Sequence, residues 1–491
     1  MRHPYPTFVT DFRVLSDEQC KQIHLASLEL LSTVGIQIRD DEAIAFLKEN
    51  DAEISEGNVA RIPPGLVEWA LRHTPPAVTL WNREGQASVR LQERQVHFGT
   101  GSDCPFILDT FTGERRHFLK ADVEQGIRIC DYLPNIDFVL SMGLVSDVDV
   151  AVSDLHQFDA MIRNTVKPVV FTAHNRTNCR SIVEMAEIVA GGPDTLRRKP
   201  QIMLFTESIA PLQYGTETTQ KLLYMAEKHL PVVLNSGPMM GASGPQTHAG
   251  VLALANAEVL AGIVMAQLKR RGAPMVYALG VHPLDMRTSV LPYGAPELAL
   301  NTAATADMAR FYDMPVWGYA GCSDAKTLDQ QAALEAMGSI MMSLLAGNNL
   351  VHDVAYLESG LVSSFDMLVL SDIAIEMGRH LLKPIEITPE TLALDLIERV
   401  GFGGHYLSEE HTLAHFKEVW YHDLIDRQRR EGWENTGALT LGDRIKQKVK
   451  EILDTHHPEP VPPDVQKRLA ERLAQAEDQA ADQPIHESAG A

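Results

Sequence analysis

The chain has 491 residues, of which 45% are apolar and 22% charged, and this composition excludes a collagen, a coiled coil or a disordered protein as the main state. At this length it holds either several domains or one α/β barrel with additional segments. The net charge of −22 opposes binding to nucleic acids and to anionic membranes, whereas it is compatible with a cationic substrate.

The five cysteines are scattered and form no CxxC pair, which disfavours a disulfide framework or a zinc knuckle and fits a reducing compartment. The N-terminal sequence lacks the apolar core of a signal peptide. The most apolar stretch, 251–267, contains Asn256 and Glu258 and is typical of a buried helix rather than a membrane span. We therefore expect a cytoplasmic protein with no membrane partner.

Residues 1–90 are predicted to form an N-terminal helical cap. A helix begins after Ser16, a good N-cap residue with Glu18 close behind, and shows apolar residues at helical spacing. Two shorter helical stretches follow, and proline pairs at 63–64 and 75–76 bound the second of them.

Residues 91–380 alternate short apolar runs with helical stretches. The runs predict eight strands, and the stretches between and after them predict helices. Because the runs are apolar throughout, both faces of each strand should be buried, as in a parallel sheet. This pattern predicts a (β/α)8 TIM barrel, with a doubly wound open sheet as the alternative. The strands are expected at Val96–Gly101, Phe138–Gly143, Pro168–Ala173, Ile202–Glu207, Pro231–Ser236, Met275–Gly280, Pro315–Ala320 and Leu350–Val354, and the helices at Asp122–Tyr132, Leu155–Asn164, Arg176–Val189, Thr218–Lys228, Ala249–Lys269, Pro296–Tyr312, Leu328–Ala346 and Phe365–Met377.

The remainder is predicted to be a C-terminal helical extension over 381–470, followed by a disordered tail over 471–491. The segment GDRIKQKVKEIL (442–453) is amphipathic, as a helix packed on a core should be. The last 21 residues are largely polar and offer little apolar surface to bury.

In a barrel of this kind, chemistry belongs to the loops that follow the strands. Histidines and aspartates in these loops could form a metal site, but they lack the compact spacing of a zinc signature, so we predict no metal. The residues considered are His174, His282, His352, Asp103, Asp324 and Asp353. Cys322 also ends a strand, but no sequence-local partner activates it, and a small buried residue is the favoured interpretation.

The glycine-rich loop NSGPMMGASGP (235–245) lacks both the P-loop lysine and the GxGxxG spacing, which disfavours a phosphate site. A close backbone approach to a large flat ligand and a tight turn with no ligand both remain open.

Aromatic residues are few but lie at or near the predicted strand ends, together with carboxylates. Ring faces next to a carboxylate suit a quaternary ammonium ion, which has no N–H to donate. The alternative is that these rings only fill the core. The aromatic residues are Phe98, Phe106, Phe171, Phe205, Tyr214, Tyr277, Tyr293, Trp317, Tyr319 and Tyr356. From them we select Phe98, Trp317, Tyr319 and Tyr356 as the faces, with Glu207 and Asp324 as counter-charges.

Several long blocks, in this order and spacing, resemble the trimethylamine:corrinoid methyltransferase family. They are SGPMMGASGPQTHAGVLALANAEVLAGIVMAQL (236–268), GAPMVYALGVHPLDMRT (272–288), YGAPELAL (293–300), YAGCSDAKTLDQQAALEA (319–336) and AGNNLVHDVAYLESGLVSSFD (346–366). The resemblance implies a (β/α)8 fold. Founding members carry pyrrolysine after the YAGCSDAK-like block, whereas this chain continues with Lys326, Thr327, Leu328 and Asp329. It thus resembles the non-pyrrolysine branch, whose characterised members demethylate quaternary amines such as glycine betaine.

The resemblance implies an in-line methyl transfer from a quaternary amine to cob(I)alamin on a separate corrinoid protein. The favoured amine is glycine betaine, which gives dimethylglycine. The chain has no DxHxxG cobalt-ligand motif, so the corrinoid should not be tightly bound. The amine leaves as a neutral molecule, and no residue is assigned as a catalytic acid or base. For the carboxylate of glycine betaine we select His174, His352 and Asn235, with Arg287 as a further candidate unless it caps its own loop.

Two other functions remain open: a barrel hydrolase or lyase that uses strand-end histidines and acids, and a catalytically inactive protein that binds a betaine or a corrinoid. We also expect a homo-oligomer, because the N-terminal cap and the C-terminal extension offer surfaces beyond what a barrel needs.

Overall fold

The computed structural model describes residues 11–102 and 104–481. Asp103, a candidate metal ligand, and the tail residues 482–491 lie outside the described residues. Within them, a parallel sheet is surrounded by helices. The predicted α/β class is therefore confirmed.

Seven parallel strands form the central sheet. In chain order they are β1 (His97–Thr100), β2 (Val169–Phe171), β3 (Ile202–Glu207), β4 (Val232–Ser236), β5 (Met275–Leu279), β6 (Val316–Tyr319) and β7 (Leu350–Val354). The spatial order is β1–β7–β6–β5–β4–β3–β2, so β1 and β2 are the two edge strands. Phe138 and Val139 form isolated parallel bridges to Gly99 of β1 and Val169 of β2. The predicted strand 138–143 is thus reduced to isolated bridges.

Eight long helices connect the strands or follow the last one. Their ends carry the expected signals: Asn175 caps a helix by accepting a hydrogen bond from the Asn178 N–H at 2.9 Å, and Gly191 ends it in the left-handed conformation (φ 81°). The helices are Lys120–Tyr132, Ser153–Arg163, Arg176–Ala190, Thr216–Lys228, His248–Lys269, Pro296–Phe311, Gln330–Ala346 and Phe365–Leu381, with the short helices Val150–Val152 and Pro193–Arg198 between them.

The N-terminal region contains the predicted helices and also short strands, so it is a mixed cap rather than a helical one. The helices are Asp17–Glu29, with its π-helical continuation Leu30–Val34, Asp41–Glu49 and Pro64–His73. Strands Ile36–Ile38, Glu53–Ser55 and Val59–Arg61 form a small sheet that Gln213–Tyr214 joins from the loop after β3. These strands have two or three residues each, too few for a recognisable alternation of apolar and polar residues.

A β-hairpin packs against one end of the interior of the sheet. Its strands are Val78–Trp81 and Ala87–Leu91, and their buried residues pack in one cluster with the interior side chains of the parallel strands. The Trp81 N–H donates to the Pro200 carbonyl (2.8 Å), and the Arg83 N–H donates to the Val166 carbonyl (2.8 Å). Because Pro200 and Val166 precede β3 and β2, the hairpin lies at the end where the strands begin.

At the other end, where the strands finish, short strands brace the loops. Phe106–Leu108, Arg115–His117, Tyr356–Leu357 and Val362–Ser363 form one four-stranded sheet, and Met239–Met240 pairs with His282–Pro283. We call this end the mouth, because the strand-end loops meet there.

Helix His248–Lys269 is the only described helix that is long and apolar enough to cross a bilayer. It is instead enclosed by the protein, and all its residues from Val251 to Gln267 are buried. Glu258 is fully buried within it. The carboxylate accepts hydrogen bonds from Ser208 Oγ (2.5 Å), Ser236 Oγ (2.8 Å) and the Leu212 N–H (2.7 Å). This core helix therefore anchors the loop that follows Glu207.

The C-terminal region is helical, as predicted. Its helices are Pro389–Leu392, Leu394–Val400, Glu410–His415 with the turn Phe416–Glu418, Arg430–Asn435, Leu441–Thr455 and Pro463–Ala481. The prediction of disorder from residue 471 is wrong for 471–481, which continue a helix. Although this helix is polar overall, Leu469 and Ala476 are buried, and Arg472 donates to Glu184 Oε2 and Ser181 Oγ, both at 2.7 Å.

Candidate active site at the mouth

Aromatic and imidazole rings from four strands or their loops meet at the mouth. Trp317 and Tyr319, two residues apart on β6, point to the same face. The ring centroid of each lies 4.5 Å from that of His352 of β7. Phe205 of β3 lies 5.5 Å from Trp317 and 5.7 Å from His352. His282, after β5, lies 5.3 Å from Tyr319. We call these five residues the ring cluster.

Two tyrosines from the loops extend the ring cluster outward. Tyr293 is half-buried and lies 5.0 Å from His282 and 6.4 Å from Tyr356.

Cys322, the strand-end cysteine, is buried, and its Sγ donates a hydrogen bond to the Tyr293 carbonyl (3.5 Å). Burial raises the pKa of the Cys322 thiol well above its usual value, so the thiol is a weak nucleophile at neutral pH. This agrees with the interpretation of Cys322 as a small buried residue.

A carboxylate lies beside the ring cluster. Glu207, exposed at the end of β3, accepts a hydrogen bond from Asn235 Nδ2 of β4 at 2.9 Å. Asn235 is buried, and its Oδ1 has no partner among the described residues. A Cβ atom at Gly280 would lie 2.4 Å from Tyr319 Oη and 2.8 Å from Asn235 Nδ2. Because residue 280 is glycine, the Tyr319 phenol and the Asn235 amide can approach each other. The Asn235 amide in turn holds the Glu207 carboxylate next to them.

The two histidines of the ring cluster are uncharged at neutral pH. Burial lowers the pKa of His282 to about 4 and that of His352 to about 3. His282 Nδ1 lies 2.6 Å from the Gly280 carbonyl, which fixes the proton on Nδ1, and Nε2 has no partner among the described residues. His352 Nδ1 lies 3.1 Å from the Gly318 carbonyl, and Nε2 lies 3.2 Å from Asp353 Oδ1.

These contacts occupy both nitrogens of His352 and so disfavour its predicted role in binding the substrate carboxylate, which stays a prediction. Its N–H is used by Gly318, and its other nitrogen faces a carboxylate. His174 is not part of the ring cluster: its side chain is 45% exposed, and its Nε2 lies 2.9 Å from Ser153 Oγ. Arg287 lies in an exposed loop in which Asp285 accepts a hydrogen bond from the backbone N–H of Arg287 (2.8 Å). This contact does not involve the guanidinium, so the role of the Arg287 side chain stays a prediction.

Two other predicted site residues, Phe98 and Asp324, make contacts outside the ring cluster. Phe98 belongs to the outer core cluster, and its ring centroid lies 5.7 Å from the guanidinium of Arg379, on the helix that follows β7. Since successive strand residues alternate between faces, it points away from the interior. Asp324 Oδ1 accepts from Ser359 Oγ (2.9 Å) and joins two mouth loops. The structure thus brings together Glu207, Asn235, Trp317, Tyr319, His352 and Tyr356 of the predicted set.

Three of the converging residues are absent from the predicted binding set. Phe205 and Tyr293 are predicted only as aromatic residues near the mouth, and His282 as a candidate metal ligand or as a residue of the hydrolase or lyase alternative. Their positions at or just after strand ends were the available signal, but nothing in the sequence distinguished them from Phe98. The three histidines considered as metal ligands do not form one group, because His174 contacts Ser153 and lies apart from His282 and His352.

A sequence model of the family described as trimethylamine methyltransferase (MTTB) matches residues 3–481. The chain belongs to this family. It is 32% identical over 465 residues to the trimethylamine methyltransferase MttB of Desulfitobacterium hafniense, an alignment that covers 94% of each chain. It is also 30% identical over 469 residues to the glycine betaine methyltransferase of the same species, covering 94% of this chain and 97% of the relative.

Among solved structures, the monomethylamine methyltransferase MtmB of Methanosarcina barkeri superposes with a TM-score of 0.50 at 12% identity, covering 97% of this chain and 89% of that one. At this identity the likeness concerns the fold alone. The full-length matches make the protein a methyltransferase of the trimethylamine methyltransferase family, with relatives named for both tertiary and quaternary amines.

Proposed function

We propose that this member of the trimethylamine methyltransferase family moves a methyl group from a quaternary amine, with glycine betaine as the preferred one, to the reduced corrinoid of a separate protein. The observation that carries the proposal is the ring cluster beside the Glu207–Asn235 pair. Electron-rich ring faces and a carboxylate attract a cation that cannot donate a hydrogen bond, and the uncharged histidines do not repel it.

The residues of the mouth are suited to holding and orienting the substrate rather than to moving protons. A quaternary nitrogen leaves as a neutral amine, so no general acid is required, and we assign no residue of the mouth to that role. The corrinoid supplies the nucleophile that accepts the methyl group. The buried rings of Trp317 and Tyr319 exclude water and hold the ammonium group, and correct orientation of reacting groups lowers a barrier by several kcal/mol or more.

The rim of the mouth fits a large and mostly apolar partner group. Five exposed apolar side chains lie on the strand-end loops: Leu144, Val150, Ile209, Met286 and Val290. Exposed apolar residues on the loops at one end of a sheet are typical of an interaction surface. We infer that the corrinoid protein docks on this rim, so that its cofactor faces the substrate from the open side of the mouth.

The homo-oligomer is proposed from a different surface, the arm formed by residues 383–421. Of the arm only Leu396 is buried, while twelve of its large apolar side chains are exposed: Ile385, Ile387, Leu392, Leu394, Ile397, Phe402, Tyr406, Leu407, Leu413, Phe416, Val419 and Tyr421. A second copy of the chain would cover them. The arm starts far from the mouth, because the helix before it ends where Arg379 donates to the Val96 carbonyl, just ahead of β1 (3.3 Å).

Three further proposals accompany this function. We infer that Phe138 and Val139 complete the sheet as the eighth strand of a closed (β/α)8 barrel, since they bridge both edge strands. The five buried, free cysteines support a cytoplasmic location. The domain limits 1–90, 91–380, 381–470 and 471–491 remain our proposed division, with the last segment beginning inside a helix.

The test is a screen of amines with cob(I)alamin as acceptor, followed by the absorbance change on methylation. We expect turnover of glycine betaine, slower turnover of choline and none of trimethylamine. Equal turnover of choline would remove the preference for a carboxylate while leaving the quaternary-amine proposal intact. Activity without a corrinoid that a chelator abolishes would favour the hydrolase or lyase alternative. An inactive binding protein would be favoured if glycine betaine binds tightly but its methyl group is transferred neither to free cob(I)alamin nor to a corrinoid protein.

A further inference from the structure

The arm brings together two histidines and a glutamate that are separated in sequence. His411 and His415 lie one turn apart on helix Glu410–His415, and Glu390 comes from helix Pro389–Leu392. One ligand atom from each residue can be chosen so that all three lie within 4.8 Å of one another. His415 Nε2 is 2.7 Å from Glu390 Oε1, and the two imidazole centroids are 4.3 Å apart.

Two further observations distinguish this group from a surface ion pair. His411 Nε2 is enclosed but has no hydrogen-bond partner among the described residues, which is costly for a polar atom unless a ligand satisfies it. On the far side of His415, Nδ1 lies 2.5 Å from Glu418 Oε1. Metal-bound histidines commonly donate their second N–H to a carboxylate in this way, which fixes the ring and increases the basicity of the coordinating nitrogen.

We propose that Glu390, His411 and His415 bind a divalent transition metal ion, Zn²⁺ by ligand preference, with Glu418 orienting His415. Two imidazoles and one carboxylate are a known zinc ligand set, with solvent in the fourth position. Ligand atoms about 2.0–2.2 Å from a common ion lie about 3.5 Å apart, so a small side-chain adjustment closes the group. This proposal departs from the prediction of no metal made from the sequence. The site lies in the arm and is independent of the proposed function.

A second acidic and histidine group nearby does not qualify. Asp372, Glu376 and His422 also lie close together, but Asp372 Oδ1 accepts from the Asn135 N–H (2.8 Å) and Glu376 Oε1 accepts from Trp420 Nε1 (2.9 Å). Their atoms are engaged in joining the end of the arm to helix Phe365–Leu381.

The metal would do structural work, because the arm has almost no core of its own. The ligands close a loop from residue 390 to 415, a segment in which only Leu396 is buried. Closing such a loop restricts its unfolded conformations and couples metal binding to local folding. The bound ion should therefore protect the segment between the ligands from proteolysis, including the exposed Arg399.

The experiment uses the full chain, stripped with a chelator and exchanged into metal-free buffer. We expect calorimetric titration to give one Zn²⁺ per chain, and Co²⁺ to give the visible absorption of a low-coordinate site with nitrogen ligands. H411Q, H415Q and E390Q should each abolish tight binding, and E418Q should weaken it about 10- to 100-fold. H405Q, which changes an exposed histidine of the same arm outside the group, is the matched control and should bind normally.

Trypsin cleavage after Arg399 provides a second readout that does not depend on affinity. Zn²⁺ should slow this cleavage in the unaltered chain and in H405Q, but not in H411Q. Absence of saturable Zn²⁺ binding to the unaltered chain would overturn the proposal. So would unchanged binding in an H411Q/H415Q double variant, since the ion would then occupy some other group.

Discussion

Replacing Glu207 by glutamine tests the central electrostatic claim about the mouth. The substitution keeps the side-chain size and removes the negative charge, while Asn235 can still make a hydrogen bond to the new amide. Two unit charges about 5 Å apart attract by about 0.8 kcal/mol in water and by about 3 kcal/mol at an effective dielectric constant of about 20. Because Glu207 is exposed, the lower half of this range applies, about 1–2 kcal/mol.

This energy should appear in KM rather than in kcat. In the transition state the nitrogen has already lost part of its positive charge to become a neutral amine, so the carboxylate stabilises the bound substrate more than the transition state. E207Q should therefore raise KM for a quaternary amine about 5- to 30-fold and leave kcat unchanged or slightly increased.

The assay is steady-state methyl transfer to cob(I)alamin, with E56Q, an exposed glutamate in the N-terminal region, as the matched control. A competitive inhibitor pair sharpens the result: glycine betaine analogues with and without the nitrogen charge should bind the unaltered enzyme differently and E207Q similarly. An unchanged KM would place Glu207 outside the site. A fall in kcat at constant KM would show instead that the carboxylate acts in the transition state.

Three other substitutions probe the site, the buried histidines and the C-terminal helix. G280A places a Cβ 2.4 Å from Tyr319 Oη, so transfer activity should fall at least tenfold while circular dichroism stays native; full activity would contradict the convergence of Tyr319 and Asn235. His282 and His352 have pKa values lowered to about 4 and about 3, so the unfolded chain takes up more protons below its usual histidine pKa of about 6.5. Stability should fall as the pH drops from about 6.5 to 4, and H282N should lose less over this range in urea unfolding; an equal loss would show that His282 does not contribute. A476D places a charge at a buried position of the last helix and should lower stability by about 1–3 kcal/mol, measured by denaturant unfolding, whereas an unchanged midpoint would mean that residues 471–481 do not pack.

The strands of the sheet could be predicted from sequence because burial on both faces leaves a distinct apolar run. The same property hides which face each residue takes. Phe98 and Trp317 both lie in apolar strand segments, yet Trp317 faces the interior and Phe98 the surrounding helices. Only the register of the strands, fixed by long-range pairing, decides between them.

Other errors have a different cause, namely that local pattern does not include distant partners. Ile36–Ile38 becomes a strand because Gln213–Tyr214 pairs with it from far along the chain. Helix Pro463–Ala481 is stable because Leu469 and Ala476 are buried, although most of its residues are polar. The sequence likewise separates Glu390 from His415 by 25 positions, so the group they form with His411 becomes visible only in three dimensions.

The hairpin Val78–Leu91 beneath the sheet has a kinetic consequence. Its side chains Leu80, Val89 and Leu91 pack in one cluster with the interior side chains at the end opposite the mouth, so we expect small molecules to reach the rings through the mouth. If the methyl acceptor sits on a macromolecule that covers the same opening, the amine has to be inside before that macromolecule arrives, and the demethylated amine departs only after it has gone. Initial-rate measurements should accordingly give the pattern of compulsory-order binding, amine first, with excess acceptor protein inhibiting by binding to the amine-free enzyme.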